Sequence, residues 1–234
     1  MVMDESSMTD PELVSKLRNA DPSSRRSFLR RSAAAGAGAL ALAVGSSNAA
    51  LAHDGQDDSF DDVEVLNFAL RLEHLEYAFY RDGLERFDEK DFRKADVLRG
   101  FSNRVKGDVL PNLEDIRDHE ETHVDELTRI IEEELGEDAN EEECYDFGYD
   151  TASEFLGVAA VLENTGVSAY DGAISLIEKE EYLTAGATIA TVEARHASYL
   201  NLLNDDSPFP DAFDPTKTPS QVLAAAGGFI VSCE

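Results

Sequence analysis

Apolar residues recur every three or four positions through most of the chain, and four long stretches read as amphipathic helices. The first runs from Asp61 or Asp62 to Phe87. Val63, Leu66, Ala69, Leu70 and Phe79 form its apolar stripe, an aspartate caps its start, and Gly83 lies near its end. A connection from Lys90 to Gly107 follows, with a short helix expected over Ala95 to Phe101. The second long helix occupies about Val109 to Leu135, with Pro111 in its first turn and Gly136 as its stop. The third covers about Thr151 to Glu178 and the fourth about Glu181 to Leu203. Between the second and third lies an acidic connection, Glu137 to Tyr149, long enough to carry the chain from one helical hairpin to the other. From Asp205 onward Pro208, Pro210, Pro215 and Pro219 predict a tail that wraps the surface. A short helix closes it, capped by Thr218, starting at Pro219 and running through Ser220 to about Ala226 before Gly227 and Gly228. No segment reads as a sheet. The expected fold class is therefore all-α: an antiparallel four-helix bundle over 61–204, with a long middle crossover and a Pro-rich tail over 205–234.

The two halves of this pattern repeat. Ile116, Glu120, His123, Leu127 and Ile130 match Ile189, Glu193, His196, Leu200 and Leu203 at identical offsets, and Leu72, Glu73 and Tyr80 match Leu162, Glu163 and Tyr170. With 25 Glu and five His in 234 residues, chance alone gives about half a Glu-x-x-His, so the two motifs carry little weight without the repeat. Each half then reads as one helix bearing a glutamate followed by one bearing Glu-x-x-His. A helix advances about 100° per residue, so Glu120 with His123, and Glu193 with His196, share a face and can hold the same ion. Two such hairpins packed together would place Glu73, Glu120, His123, Glu163, Glu193 and His196 around one point, the ligand set of a di-iron or di-manganese carboxylate bundle.

The start of the chain bears on compartment. Ser24-Arg25-Arg26-Ser27-Phe28-Leu29-Arg30 has the arginine pair, the apolar residues and the basic flank of a twin-arginine export signal. The Ala/Gly/Leu stretch from Ala33 to Val44 is short for a membrane span, which needs about 20 apolar residues, but suits the apolar region of a cleaved signal. Ala50-Leu51-Ala52 fits the cleavage pattern. Residues 1–52 are thus expected to be a signal peptide and 53–60 a polar leader, and the mature protein is expected to be extracytoplasmic with no membrane span.

Acidic residues outnumber basic ones by 49 to 20, for a net charge of -29. Self-repulsion of that size is relieved once salt shortens the Debye length to about 3 Å at 1 M, so the surface reads as a halophile's. It argues against nucleic acid and anionic membranes as partners, since both require positive patches. The runs Glu132-Glu133-Glu134 and Glu141-Glu142-Glu143 are expected to be solvated. Cys144 and Cys233 could form one disulfide in an oxidising exterior, pinning the tail to the middle connection; two thiols that never meet are the alternative. No Cys-x-x-Cys pair exists, which excludes a rubredoxin-like iron site and a zinc ribbon.

Leu72-Glu73-His74-Leu75-Glu76-Tyr77-Ala78-Phe79-Tyr80, the two Glu-x-x-His helices and the tail Pro208-Phe209-Pro210-Asp211-Ala212-Phe213-Asp214-Pro215 resemble the exported ferritin-like family that includes desiccation-associated proteins. The resemblance covers about Asp61 to Ile230. It implies a ferritin-like bundle in which Glu73 with His123, and Glu163 with His196, are terminal ligands of two iron or manganese ions bridged by Glu120 and Glu193. Carboxylates neutralise two divalent ions and can change their binding mode, and imidazole adds a neutral ligand that leaves positions open for oxygen or peroxide. The expected function is a redox protein of ferroxidase, peroxidase or catalase type. The alternatives are a metal-storage protein and a structural protein for dry or salty conditions, neither with turnover.

Five further residues need a role. Glu76, one turn past Glu73, has Gly166 as its counterpart and is expected to be either an extra ligand or an acid beside the ligands. His74 and His119 are out of phase with the ligand face and are expected to be ordinary polar positions. Tyr80 and Tyr170 stand two turns, about 10 Å, from the glutamates of their own helices, too far to ligate; core packing with a satisfied hydroxyl is expected, with an electron path as the alternative.

Overall fold

The computed structural model describes residues 60–233. The signal peptide and almost all of the polar leader expected from the sequence lie outside them. Four long helices carry the fold, α1 (Asp62–Arg86), α3 (Asn103–Arg129), α4 (Ala152–Ala173) and α5 (Glu180–Leu203), with short α2 (Glu89–Lys94) and α6 (Pro219–Ala226). Asp61 caps α1 in a reciprocal box, its side chain accepting from the Glu64 amide at 2.9 Å while Glu64 accepts from the Asp61 amide at 3.2 Å. Thr151 with Glu154 and Thr218 with Gln221 start α4 and α6 in the same way. The all-α bundle predicted by the apolar periodicity is the architecture observed.

Two apolar clusters lie at the ends of the bundle with a polar layer between them. One gathers Phe79, Leu113, Phe155 and Leu200, and Phe79 stacks on Phe155 with ring centroids 4.5 Å apart. Gly83 makes that stack possible, because a side chain there would overlap the Phe155 ring. The other cluster gathers Leu66, Leu70, Leu127, Ile131, Tyr182 and Ile189. The order of these residues along each helix shows that α1 and α5 run one way and α3 and α4 the other. The link from α3 to α4 must therefore travel the length of the bundle.

That crossover climbs beside α1. The Asn140 amide donates to Asn67 Oδ1 at 2.8 Å, and Arg71 makes a two-bond pair with Glu143 at 2.7 and 2.9 Å. Arg81 pairs likewise with Glu142, and Arg86 donates to the Tyr149 carbonyl. Glu141 and Glu142 are exposed, as expected of a solvated run, and Glu143 is half-buried; arginines of α1 anchor Glu142 and Glu143. Glu134 pairs with Arg129 at 2.6 Å. At such exposed or half-exposed positions each pair is worth at most about 1 kcal/mol, so together they position the crossover more than they stabilise the fold.

Several boundaries differ from expectation. The α3 helix starts at Asn103, capped by Ser102, so Pro111 lies inside it. Arg93 of α2 donates to the Asn103 carbonyl at 3.1 Å, and its guanidinium rests where a side chain at Gly107 would stand, which ties the turns before the proline to α2. The expected short helix over 95–101 is a 3₁₀ turn, Asp96–Leu98, preceded by α2. At its far end α3 passes into a π-helical turn, Ile130–Leu135, stopped by Gly136 at φ 74°. The α4 helix ends at Ala173, five residues early. The tail crosses it at Gly172, where the Lys217 carbonyl comes too close for any side chain, and the Glu178 and Lys179 amides donate to Asp62.

The sequence reading also missed a two-residue antiparallel pair, β1 (Cys144–Tyr145) with β2 (Ile230–Val231). A disulfide joins Cys144 to Cys233 beside it, Cα atoms 5.3 Å apart, so the first of the two cysteine alternatives is the one observed. Among the described residues no helix is long and apolar enough to cross a membrane.

Candidate metal centre

The polar layer contains all six residues singled out by the repeat. Glu73, Glu120, Glu163 and Glu193 are fully buried, and His123 and His196 are 8% and 4% exposed. Each of the four long helices supplies at least one of them. Their ligand atoms form two overlapping groups, Glu73, Glu120, His123 and Glu193 in one and Glu120, Glu163, Glu193 and His196 in the other, with all atoms of a group within 4.8 Å of one another. Glu120 and Glu193 belong to both. His123 Nδ1 lies 3.1 to 3.2 Å from oxygens of Glu73, Glu120 and Glu193, and His196 Nδ1 lies 3.0 Å from Glu120 and 3.3 Å from Glu163.

Five of the side-chain nitrogens and oxygens of these six residues have no hydrogen-bond partner. Glu120 Oε1, Glu163 Oε2, both Glu193 oxygens and His196 Nδ1 are buried and unsatisfied. Such a group ordinarily costs 1 to 3 kcal/mol or more, and several around one point mark a place where something else completes the bonding. Bound protons offset part of the cost in metal-free protein. Burial, reinforced by the neighbouring carboxylates, pushes Glu120, Glu193 and Glu76 well above the usual carboxylate range, and burial lifts Glu163 to about 7. Burial would also raise Glu73, but hydrogen bonds and the charge of His123 outweigh it and hold that carboxyl low. Burial would lower His123, yet the carboxylates packed around it, Glu120, Glu193 and Glu73, keep the imidazolium protonated far above its ordinary range. A divalent cation would take over the role of these protons, so the donor set fits a metal.

The surroundings hold the carboxylates from the opposite hairpin. Tyr80 of α1 donates to Glu163 Oε1 of α4 at 2.5 Å, and Tyr170 of α4 donates to Glu73 Oε1 of α1. Both hydroxyls are thus satisfied, as the packing reading expected, but by acceptors on the partner hairpin. Glu76 is buried among the same carboxylates and fills the space left by its own repeat counterpart: a Cβ on Gly166 would stand 3.2 Å from Glu76 Oε1 and 3.5 Å from Glu193 Oε2. His74 is an ordinary polar position, as expected, meeting the Asn140 carbonyl.

His119 corrects the sequence reading. Its Nδ1 lies 3.0 Å from His196 Nε2, and the two rings meet edge to edge, with planes 10° apart and centroids 5.3 Å apart. It holds the Nε2 edge of His196, opposite the Nδ1 edge that meets the carboxylates, so it orients that imidazole. The signal was its place one turn before His123, on the face α3 turns towards α5. Val192 occupies the corresponding place in the second half, so His123 has no such support from the repeat.

A family model for a ferritin-like domain matches residues 61–205, spanning all four long helices and all six clustered residues. This chain belongs to the ferritin-like domain family. The ferritin-like match is accompanied by similarity to a curated relative, Protein rds1 of Schizosaccharomyces pombe (strain 972 / ATCC 24843), 23% identical over 172 residues. The aligned region covers 74% of this chain and 40% of that relative, so the chain spans well under half of the relative's length.

Proposed function

We propose that this ferritin-like protein binds two iron or manganese ions between its hairpins and reacts with oxygen or peroxide. The observation that carries the proposal is the sharing of buried, unsatisfied Glu120 and Glu193 by two overlapping ligand groups, each completed by one further glutamate and one histidine. Glu73 and His123 would be the terminal ligands at one position and Glu163 and His196 at the other, with Glu120 and Glu193 bridging. Iron or manganese bound there would supply the electron changes that protein side chains cannot.

The residues around the ligands do the remaining work. Tyr80 and Tyr170 each fix one oxygen of a terminal glutamate, and the other oxygen faces the histidines of the cluster, where a cation would bind. Burial excludes bulk water, which strengthens the attraction between the carboxylates and a divalent ion. Glu76 offers a further carboxyl beside Glu193 that can hold a proton or add a ligand. The twin-arginine pattern of residues 24–30 supports export of the folded, metal-loaded protein, and the net charge of -29 supports life in a salty exterior.

Elemental analysis of protein purified in high salt, after removal of surface-bound cations, tests the reading. About two iron or manganese ions per chain are expected, with loss of the paired site in Glu120→Ala and in Glu193→Ala. Folded protein without metal, or equal metal content in both variants and the parent, would overturn it and favour a structural role.

A further inference from the structure

Beyond Glu73, where α1, α3, α4 and α5 meet, the side chains leave a cavity of about 40 Å³, lined by residues that include Leu66, Ala69, Leu127, Tyr170, Ile174 and Gly186. One water needs roughly 10 to 15 Å³ of such space, so the cavity admits a molecule of a few heavy atoms. Its walls are almost wholly carbon. The two hydroxyls nearby are engaged, Tyr170 donating to Glu73 and Tyr182 accepting from the Lys179 ammonium, so the space offers a water few partners. Ile174, 45% exposed, and exposed Ala187 mark the side on which the cavity meets solvent.

The cavity adjoins the ligand cluster. Ala69 precedes Glu73 by one turn of α1, and Leu127 follows His123 by one turn of α3, an axial offset of about 6 Å in each case. Tyr170 touches both, lining the cavity while its hydroxyl holds Glu73.

Gly186 provides an independent observation. It lies inside α5, where glycine costs about 1 kcal/mol relative to alanine. A Cβ there would meet nothing nearer than Tyr170 Cδ1 at 4.0 Å, which is ordinary contact, so close packing does not require the glycine. A longer side chain at this position would enter the cavity. A residue no larger than alanine at this position leaves it open.

We propose that this cavity binds a small apolar molecule of the size of dioxygen and holds it one helical turn from the ligand cluster. Its role as an oxidant dock rests on the metal-dependent function proposed above; the binding itself does not. Xenon is the probe, followed by amide NMR of metal-free protein under increasing gas pressure. Saturable shifts are expected at Ala69, Leu127, Gly186 and their neighbours, retained in Gly186→Ala and lost in Gly186→Leu. In iron(II)-loaded protein, Gly186→Leu is expected to slow oxidation by dissolved oxygen at least five-fold, most at low oxygen, with metal content unchanged. Absence of saturable xenon shifts in the parent protein would overturn the proposal, and that measurement stands whether or not Gly186→Leu folds. Unchanged oxidation by Gly186→Leu at every oxygen concentration would overturn the docking role. A protein that takes up no metal would overturn the function above and with it the docking role, while the xenon result would still decide whether the cavity binds.

Discussion

The carboxylate of Glu76 occupies the space that a side chain at Gly166 would need, Oε1 lying 3.2 Å from where a Cβ on that glycine would stand. The two positions are counterparts in the repeat, so one half carries the acid and the other makes room for it. Gly166→Glu alone should bury a further carboxyl against Glu193 and destabilise the protein by about 3 kcal/mol or more. Glu76→Gly together with Gly166→Glu should recover most of that loss by moving the acid to the other half. Chemical denaturation of the single and double variants reads the coupling, and additive effects would show that the two positions do not share one space.

Removing the tyrosine hydroxyls tests their hold on the ligands. Tyr80→Phe frees Glu163 Oε1, and Tyr170→Phe frees Glu73 Oε1, while each ring stays in place. Loss of such an outer hydrogen bond commonly weakens metal binding about 10-fold to 100-fold. Each variant should fall in that range when titrated with metal against a competing chelator. Unchanged affinity would mean that the hydroxyls merely fill the core.

Metal-free protein should lose stability as pH rises. Glu163, raised to about 7, binds a proton in the fold that the unfolded chain has already released above about 4.5, and raised Glu76, Glu120 and Glu193 act with the same sign. His123, also raised, stabilises the fold fully below its ordinary value near 6.5 and loses that contribution as pH climbs through its folded value. Glu73, which is lowered, acts oppositely: its contribution is present above about 4.5 and is lost as pH falls through its folded value. The melting temperature of chelated protein should therefore fall from pH 5 to 8, even in about 3 M salt, where repulsion across the acidic surface is screened. Added metal should flatten the profile. A profile already flat without metal would contradict the proton-loaded cluster.

Reduction of the disulfide should act on the fold and spare the ligands. The bridge spans a sequence separation of 89 residues, for which chain entropy gives roughly 4.5 kcal/mol. Cys144→Ser with Cys233→Ser should lower stability by about 2 to 5 kcal/mol while retaining metal, since neither cysteine contributes to the ligand groups. Calorimetry with and without reductant checks the first part and elemental analysis the second.

The six clustered residues were legible because the spacing repeats with its apolar neighbours, and helical periodicity then turns spacing into direction. Tyr80 and Tyr170 show where that reasoning ends. Their distance from Glu73 and Glu163 along their own helices was correct, but their acceptors lie across the bundle, and one helix cannot reveal its neighbour's register. His119 was misjudged for the same reason: its partner is on α5. Pro111 looked like a helix start because proline is favoured there, whereas Ser102 had already started α3 and α2 supports the preceding turns. The β1–β2 pair is only two residues long, too short for any alternation to register. The cysteine pairing depended on the path of the crossover, which is set by arginines on α1 meeting Glu142 and Glu143.

The crossed tyrosines bear on what half of this molecule could do alone. A hairpin of α1 and α3 would hold Glu73, Glu120 and His123 together with a phenol lacking its acceptor, and Glu73 would lack its donor. The α4–α5 hairpin would have the mirror deficit. Each half has what the other lacks, so two copies of a single such hairpin related by a twofold axis would satisfy one another, as in a self-complementary dimer. Within one chain the two halves satisfy one another without a partner subunit and need not be identical: Glu76 faces Gly166 across the centre, and His119 has Val192 as its counterpart.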